Sequence, residues 1–385
     1  MPPRSSPPVT LKLAIWTNIP NQYQQPFQQA VRNAGVDLVV RYYERVPAQR
    51  LKMGWSSFDS LPDGEKFVEP TLSSLYEIPD WKERIHVLPG YGKPFLVRLA
   101  AKLSASGCEW VHWSERAHPG FRWLVTYPLK RAYSELLNRY ALGAFANGIK
   151  AVEDFAHWGI ARERIAVLTY STQGPQAGEV ADPDCVRFRG SGRAFITLGT
   201  LCARKGTDVL LRAFARATEQ APTWKLILVG DDSSNGEYAQ LAAGLGVADR
   251  VLFRGPITAT SVGTAIAAAD VLIQPSRFDG WAVTLNEGSS RGLPLIATEA
   301  CGATDHLIES GKNGLCARSG DAASLAAAMG AYVQDDSLVA RHGAHSRLLY
   351  ARYAPAANAQ HVVETLTMWR ALQGAVMIER AGANA

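Results

Sequence analysis

Two carboxylates of the chain, Asp279 and Glu287, are separated by seven residues between two apolar strands, predicted over 271–273 and 295–298. Asp279 lies in a turn-rich loop, and Glu287 lies inside a short helix predicted over about 283–291. Carboxylates accept hydrogen bonds from hydroxyls, and the free N–H groups at a helix start favour an anion. The pattern therefore suits a ligand that is part sugar and part phosphate. An ordinary turn acid and a solvated helix acid remain the alternative interpretation.

A basic pair, Arg204 and Lys205, lies between a strand predicted over 194–199 and an amphipathic helix predicted over 207–221. Basic side chains at this position, assisted by the N–H groups at the helix start, can neutralise a diphosphate. The alternative for Lys205 is a solvated loop lysine. The two patterns together favour a phosphate-bearing ligand in the C-terminal half.

The acidic segment resembles the C-terminal signature of the GT-B glycosyltransferases of family 4, the retaining nucleotide-sugar enzymes. That signature is Glu, seven residues and Glu, followed by a small helix, Gly-Leu-Pro and a strand. Here Asp279 stands at the first Glu, Glu287 stands at the second, and Gly292-Leu293-Pro294 follows. The Asp side chain is one methylene shorter than the usual Glu.

The basic loop resembles the matching loop of the same family, which usually reads Gly-Arg, four residues and Lys-Gly. Lys205 and Gly206 match this pattern, whereas Thr200 stands where the Arg is expected. Arg204 is the candidate that would replace this cation.

The resemblance implies an α/β, GT-B fold of two Rossmann-like doubly wound parallel-sheet domains that face a central cleft. It implies transfer of a sugar, with retention, from a nucleotide diphosphate sugar to a hydroxyl of a glycan or lipid-linked acceptor. The candidate catalytic residues are Asp279, Glu287, Lys205 and Glu115. The candidate donor-binding residues are Arg204, Lys205, Gly280, Trp281, Ala282, Val283, Glu287, Arg254 and Gly255.

Two polar loops of the N-terminal half are candidates for the acceptor side. The loop after the strand predicted over 11–16 carries Asn18, Asn21 and Tyr23. The loop after the strand predicted over 109–113 carries Glu115, Arg116 and His118. A carboxylate, a guanidinium and an imidazole on one loop could orient a sugar hydroxyl. An ordinary polar loop and an internal Glu–Arg pair are the respective alternatives.

The length of 385 residues favours two domains. The predicted division is a flexible leader (1–10), an N-terminal acceptor domain (11–175), a linker without periodicity (176–192), a C-terminal nucleotide-sugar domain (193–352) and a helix that crosses back to the N-terminal domain (353–385). The leader is rich in Pro and Ser and lacks the apolar stretch of a signal peptide.

The composition argues against several other classes of protein. Five scattered cysteines without a C-x-x-C pair favour neither a disulfide framework nor a zinc site, and they fit a reducing cytosol. No metal and no cofactor are expected, because positive side chains would replace a metal at the diphosphate. A net charge of +5 does not call for nucleic acid, and it is compatible with an anionic nucleotide or membrane surface.

The segment over 121–140 mixes aromatic and basic residues, which suits a peripheral contact with a membrane that carries a lipid-linked acceptor. The alternative is a core helix with a solvated basic face. The expected location is the cytoplasm, including the inner face of the membrane. A role in bacterial surface polysaccharide assembly follows by analogy alone.

Two competing functions stay open. One is another GT-B activity on nucleotide sugars, such as that of a hydrolysing epimerase or a glycogen-type polymerase. The other is a non-catalytic nucleotide-sugar-binding protein that has kept the fold. The absent Arg at Thr200 and the Asp at position 279 favour this last reading.

Overall fold

Strands and helices alternate along the first half of the chain, because short apolar runs are separated by amphipathic segments and by turns. The computed structural model describes residues 11–52, 54–118 and 121–382, so the expected leader over 1–10 lies outside the described residues; the side chains of 121–124 and 376–382 also lie outside them. The strands are β1 (Lys12–Thr17), β2 (Asp37–Tyr42), β3 (Glu65–Phe67), β4 (Ile85–Leu88), β5 (Trp110–Ser114), β6 (Gly143–Ala146) and β7 (Ile165–Val167). The helices are α1 (Gln25–Asn33), α2 (Ala48–Lys52), α3 (Ser73–Tyr76), α4 (Pro94–Ala105), α5 (Phe121–Tyr140) and α6 (Ile149–Trp158).

The second half repeats this alternation around another sheet. Its strands are β8 (Ala194–Leu198), β9 (Lys225–Val229), β10 (Val251–Gly255), β11 (Val271–Gln274), β12 (Leu295–Thr298) and β13 (Gly314–Ala317). Its helices are α7 (Pro183–Arg189), α8 (Thr207–Ala217), α9 (Glu237–Gly244), α10 (Val262–Ala267), α11 (Thr284–Ser290), α12 (Thr304–Leu307), α13 (Ala322–Gln334), α14 (Ser337–Ala351) and α15 (Pro355–Gly382).

Helix α4 shows how the sequence sets these elements. Its start at Pro94 suits proline, whose missing N–H and fixed φ fit the first helical turn. Its buried residues recur at helical spacing on one face, and they are Phe95, Leu96, Leu99, Ala100 and Leu103. The strands beside it are short and apolar; all four residues of β4 are buried. Burial of this face on the sheet forms part of the first core.

Both sheets are parallel and doubly wound, as the sequence predicts. The strand order is β3-β2-β1-β4-β5-β6-β7 in the first sheet and β10-β9-β8-β11-β12-β13 in the second. The order reverses between β1 and β4 and between β8 and β11. Ligands of such sheets bind at this reversal, outside the carboxyl ends of the strands. Loops from both reversals line one cleft between the two domains.

Two segments differ from their predictions. The irregular, aromatic stretch over 47–81 contains α2, α3 and the edge strand β3, which pairs with β2 over three residues. The predicted linker over 176–192 contains helix α7, although its sequence shows no periodicity. The Asp182 side chain caps this helix by accepting hydrogen bonds from the N–H groups of Asp184 and Cys185.

Helix α15 returns to the first domain. The Arg370 guanidinium donates to the Glu109 carboxylate (Nε···Oε2 2.7 Å), and the Trp369 ring packs on Phe145 with centroids 5.0 Å apart. The Asn358 amide donates to the carbonyl oxygen of Thr169 at 2.8 Å. The end of the chain therefore braces the first sheet.

Helix α5 buries one face against the first domain through Lys130, Tyr133 and Leu137. Its opposite face exposes Val125 and Leu129. This burial fits the core-helix alternative for the segment. Within the described ranges, no helix combines the length and the apolar character that crossing a membrane requires.

Candidate active site

The cleft between the two domains encloses a cavity of about 530 Å³. The first domain contributes Asn21, Tyr23, Gln24, Arg50, Trp55, Glu115 and Tyr170 to its lining, and the second domain contributes Thr200, Arg204, Lys205, Asp279 and residues 281–284. Smaller cavities of about 330 and 120 Å³ adjoin residues of this cleft on the first-domain and second-domain sides. The lining is rich in hydrogen-bonding groups and contains several aromatic rings, which is the usual chemistry of a carbohydrate site.

Asp279 and Lys205 meet in the cleft. The Lys205 Nζ lies 2.5 Å from the Asp279 Oδ2, and both side chains are largely shielded from solvent. The lysine follows β8 and the aspartate follows β11, so the pair joins the two loops at the strand-order reversal of the second sheet. An anionic ligand at this position would meet a cation that already has a carboxylate partner. By moving its side chain, the lysine can pair either with the Asp279 carboxylate or with the ligand.

Glu287 lies in α11 and is 6% exposed. Burial raises the pKa of its carboxyl to about 8. Its Oε2 has no hydrogen-bond partner among the described residues. The residue lines the 120 Å³ pocket together with Tyr23, Trp55, Thr200 and Ile257. A buried acceptor facing a pocket is ready to receive hydroxyl donors from a ligand.

The turn before α11 is tightly packed. A Cβ on Gly280 would lie 1.8 Å from the Glu115 Oε2, so a larger residue here would require the Glu115 carboxylate to move. Ala282 adopts φ +79°, a conformation that residues with a Cβ rarely occupy and that is held here by its surroundings. The Trp281 indole N–H donates to the Asn286 side chain at 2.8 Å. This turn therefore presents the backbone of 281–283 to the cleft in one fixed geometry.

Glu115 lies on the first-domain wall of the cleft. Burial raises the pKa of its carboxyl, and the Asp279 carboxylate raises it further. The Tyr170 hydroxyl forms a hydrogen bond with it. The side chain can therefore hold a proton close to Asp279, as a group that takes or returns a proton requires.

Arg116 and His118 do not reach the three cavities described here. The Arg116 guanidinium donates across the cleft to the carbonyl oxygens of Asp279 (2.9 Å) and Ala300. It also stacks on the Phe278 ring at 4.5 Å. The exposed His118 packs on the same ring, with centroids 4.3 Å apart. Both residues hold the domains together in this structure, which differs from the acceptor contact predicted for them.

The loop after β1 carries the other candidates for the acceptor side. Asn18 and Asn21 line the 330 Å³ first-domain cavity, beside Trp113 and Ser114. Tyr23 lines the cleft and the Glu287 pocket instead. The loop therefore reaches both the first-domain cavity and the Glu287 pocket.

Arg254 and Gly255, the predicted base contacts, line none of the three cavities. The Arg254 guanidinium is paired with Asp182, with Nη2 3.1 Å from Oδ2. The next two residues, Pro256 and Ile257, line the Glu287 pocket. The base contact predicted for Arg254 and Gly255 stays a prediction.

Arg204 and Thr200 both line the cleft. The Arg204 guanidinium donates to the carbonyl oxygen of Phe278 at 3.1 Å and is exposed. Three further lining residues, Arg50, Trp55 and Tyr170, were not anticipated. The aromatic character of the 47–81 segment was the only sequence signal for the first two. Among the described residues, no group of three or more His, Cys, Asp or Glu side chains is placed to hold a metal ion.

Residues 192–335 match the family described as "Glycosyl transferases group 1". The chain is 29% identical over 179 residues to a GDP-mannose-dependent alpha-(1-6)-phosphatidylinositol monomannoside mannosyltransferase of Mycolicibacterium smegmatis, a match that covers 43% of this chain and 47% of that protein. It is 30% identical over 155 residues to a D-inositol 3-phosphate glycosyltransferase of Streptomyces scabiei, which covers 38% of this chain and 34% of that protein. The chain thus spans less than half the length of these curated relatives.

A solved structure resembles nearly the whole chain. The Anabaena protein Alr3699/HepE in complex with UDP superimposes with a TM-score of 0.75 at 17% identity, over 93% of this chain and 100% of that one. The same protein has been solved with UDP-glucose. The two facing domains therefore define the GT-B fold. The family match covers residues 192–335 alone, so the second domain resembles the group 1 glycosyltransferases, and the whole chain shares the fold.

Proposed function

We propose that the protein is a retaining glycosyltransferase that moves a sugar from a nucleotide diphosphate sugar to a hydroxyl of a glycan or lipid-linked acceptor. One observation carries the proposal. A buried carboxylate with an unpartnered oxygen, Glu287, lines a pocket beside the cleft that holds the Lys205–Asp279 pair. A group that accepts hydrogen bonds from hydroxyls, in the pocket, thus lies next to a cation that suits phosphate, in the adjoining cleft.

The donor is proposed to lie along the second domain. Glu287 accepts hydrogen bonds from the ribose hydroxyls, and the base lies beside Ile257 in the same pocket. Lys205 and the backbone of 281–283 contact the diphosphate, and Asp279 accepts from the hydroxyls of the sugar. When the diphosphate arrives, Lys205 can shift from Asp279 toward phosphate, which frees the aspartate for the sugar.

The transfer step breaks the bond between the anomeric carbon and the phosphate oxygen and forms a bond to the acceptor oxygen. The electron pair leaves with the nucleoside diphosphate, whose charge Lys205 offsets. The acceptor proton passes to a phosphate oxygen of the leaving group or to a neighbouring base such as Glu115. Retention follows from the likeness to family 4. No metal enters this scheme, because side-chain cations act at the diphosphate.

The relatives guide the choice of donors. One is named for GDP-mannose, and the structural neighbour was solved with UDP-glucose. Titration of the purified protein with UDP, GDP and these two sugars is expected to reveal binding of at least one nucleotide. Nucleotide release in the presence of glycan acceptors then measures transfer. Binding with neither transfer nor hydrolysis across a broad acceptor panel would instead favour a non-catalytic binding protein, and donor hydrolysis with epimerisation would favour an epimerase.

Assembly of a surface polysaccharide at the inner face of the membrane is the cellular role we propose. Its support is the exposed apolar side chains Val125 and Leu129 on α5, beside basic residues of the same helix. Flotation with liposomes of anionic lipid tests the contact. Co-flotation at low salt is expected, and its absence would remove the membrane from the proposal.

A further inference from the structure

Two residues of the first domain line the cleft, Arg50 from α2 and Trp55 from the residues that follow this helix. Trp55 lines all three cavities, so it lies where the acceptor and donor sides meet. Arg50 lines the first-domain cavity and the cleft, but it does not line the pocket of Glu287. The Arg50 guanidinium lies over the Trp55 ring, 4.3 Å from its centroid. The pair therefore forms a cationic and aromatic wall on the acceptor side.

This segment is seated on the second domain through Gly54. The Gly54 carbonyl oxygen accepts a hydrogen bond from the N–H of Ala259 at 3.3 Å. Gly54 has φ +84°, and a Cβ there would lie 2.2 Å from the carbonyl oxygen of Ile257. Only glycine combines this conformation with this approach. The wall formed by Arg50 and Trp55 is thus held in a defined position beside the cleft.

Arg50 differs from the other cations that line the cleft in its hydrogen-bond partners. Lys205 is paired with Asp279, and the Arg204 guanidinium donates to a carbonyl oxygen. Among the described residues, the Arg50 guanidinium forms no hydrogen bond or ion pair, and it lies over the Trp55 ring. Its exposed donors are therefore available to a ligand.

The other polar groups around the first-domain cavity are mostly neutral. They are the amides of Asn18, Asn21 and Gln24 and the hydroxyl of Ser114. Such groups match the hydroxyls of a polyol, and an aromatic ring such as Trp55 matches the apolar face of a sugar. The carboxyl that lines this cavity, Glu115, is half-buried, and its partial burial and the Asp279 carboxylate raise its pKa, which favours its neutral form. The cavity therefore presents one uncompensated positive charge.

Taking the proposed transferase activity as given, we propose that the acceptor is a sugar or polyol with an acidic group, a phosphate or a carboxylate, and that Arg50 binds this group. The planar guanidinium offers two parallel N–H donors, which fit either anion. Arg50 would then determine acceptor specificity, while the hydroxyl to be glycosylated points toward the cleft. Contact with the donor diphosphate is the competing role, because Arg50 also lines the cleft that contains Lys205, and the nucleotide affinity of an Arg50 variant distinguishes the two.

The test uses acidic and neutral members of three ligand pairs: glucose 6-phosphate with glucose, glucuronate with glucose, and inositol 1-phosphate with inositol. Their affinities are measured by calorimetry, with the donor site saturated by UDP or GDP so that phosphate cannot enter it. The variants are Arg50→Gln and Arg50→Lys. Arg45→Gln is the matched control, because Arg45 is also exposed and stacks on a ring, Phe67, at 4.7 Å, but lines none of the three cavities.

In the wild type and the Arg45 variant, at least one acidic member is expected to bind about tenfold more tightly than its neutral partner. Arg50→Gln is expected to abolish this preference and to keep the nucleotide affinity within about twofold of the wild type. Arg50→Lys is expected to keep part of the preference for the acidic ligand. The proposal is overturned if no pair shows an acidic preference, if the preference survives in Arg50→Gln, or if that variant weakens UDP or GDP instead. Failure of the proposed activity is seen separately, as absence of nucleotide binding, and the same pairs can then be titrated on the unliganded protein.

Discussion

Replacing Glu287 by Gln is expected to raise the free energy of unfolding of the unliganded protein relative to the wild type, and this difference should grow as the pH rises. Burial raises the pKa of this carboxyl from 4.5 to about 8. Within that interval the folded protein keeps a proton that the unfolded chain has lost, so the free energy of unfolding falls as pH increases. Each pH unit is worth about 1.4 kcal/mol, and the whole interval therefore corresponds to about 5 kcal/mol. Glutamine cannot ionise, so the variant escapes this loss.

Urea unfolding at several pH values between 5 and 8.5 measures the effect. The difference in unfolding free energy between Glu287→Gln and wild type is expected to grow by up to about 1.4 kcal/mol per pH unit and to level off above pH 8. Glu309→Gln is the control. Its carboxyl is half-buried, and hydrogen bonds from His345 and Lys312 lower its pKa below the ordinary 4.5. The carboxyl is therefore largely ionised in both the folded and the unfolded protein over this pH range, and the difference for this variant is expected to stay nearly level. A difference for Glu287→Gln that does not change with pH would refute the buried, protonated carboxyl.

The same variant links the carboxyl to the ligand. At pH 7 a group with a pKa of about 8 holds roughly 0.9 proton, and hydroxyl donors from a ribose would lower that pKa. Nucleotide binding should therefore release close to one proton more in the wild type than in Glu287→Gln. Calorimetry in two buffers of different ionisation enthalpy detects it. Equal proton release by both proteins would contradict a contact between Glu287 and the ribose.

Three further predictions concern other parts of the cleft. Lys205→Ala is expected to slow sugar transfer by about 100-fold or more, roughly 3 kcal/mol, because the leaving diphosphate loses its cation; initial rates of nucleotide release measure this. Gly54→Ala is expected to reduce transfer markedly, whereas Gly35→Ala, which has the same positive φ but open space around it, should lower only the melting temperature. His306→Gln is expected to reduce the loss of thermal stability below pH 6.5. Burial lowers the pKa of this imidazole, and its Nε2 accepts a hydrogen bond from the N–H of Ile149 at 2.9 Å.

Each of these predictions has a control or a contrary result. Lys312→Ala, at an exposed lysine outside the cleft, should leave transfer unchanged, and wild-type turnover of Lys205→Ala would remove that lysine from the mechanism. Equal effects of the two glycine substitutions on transfer would mean that the approach to Ile257 is unimportant. For His306, the folded pKa lies below the unfolded value, so stability is present at higher pH and lost on acidification. An unchanged acid profile in the variant would contradict the interdomain contact.

Most of the fold could be predicted because its strands are short, apolar and bounded by turn residues. The periodicity of α8 and the run of β11 are visible without tertiary information. The edge strand β3 was missed because its three residues, Glu-Lys-Phe, carry no pattern of their own and rely on pairing with β2. Helix α7 was missed because it has only seven residues, of which Cys185 alone is buried, and so shows no apolar face.

The candidate site was only partly accessible from the sequence, because its contacts join distant segments. The spacing of Asp279 and Glu287 was visible, but the complete burial of α11 from Leu285 to Ser290 was not. Arg116 reads as a ligand-binding side chain in a polar loop, yet it donates to backbone oxygens of the opposite domain. Only the folded chain reveals such partners. Arg50 was missed for the same reason, since its position depends on Gly54 meeting the second domain.

A crystal structure of the protein with UDP-glucose or GDP-mannose tests the central claim most directly. We expect the diphosphate beside Lys205, with its Nζ moved away from Asp279, and the ribose hydroxyls within hydrogen-bonding distance of the Glu287 carboxylate. Density for the nucleotide at another surface, with both side chains in their unliganded contacts, would contradict the account.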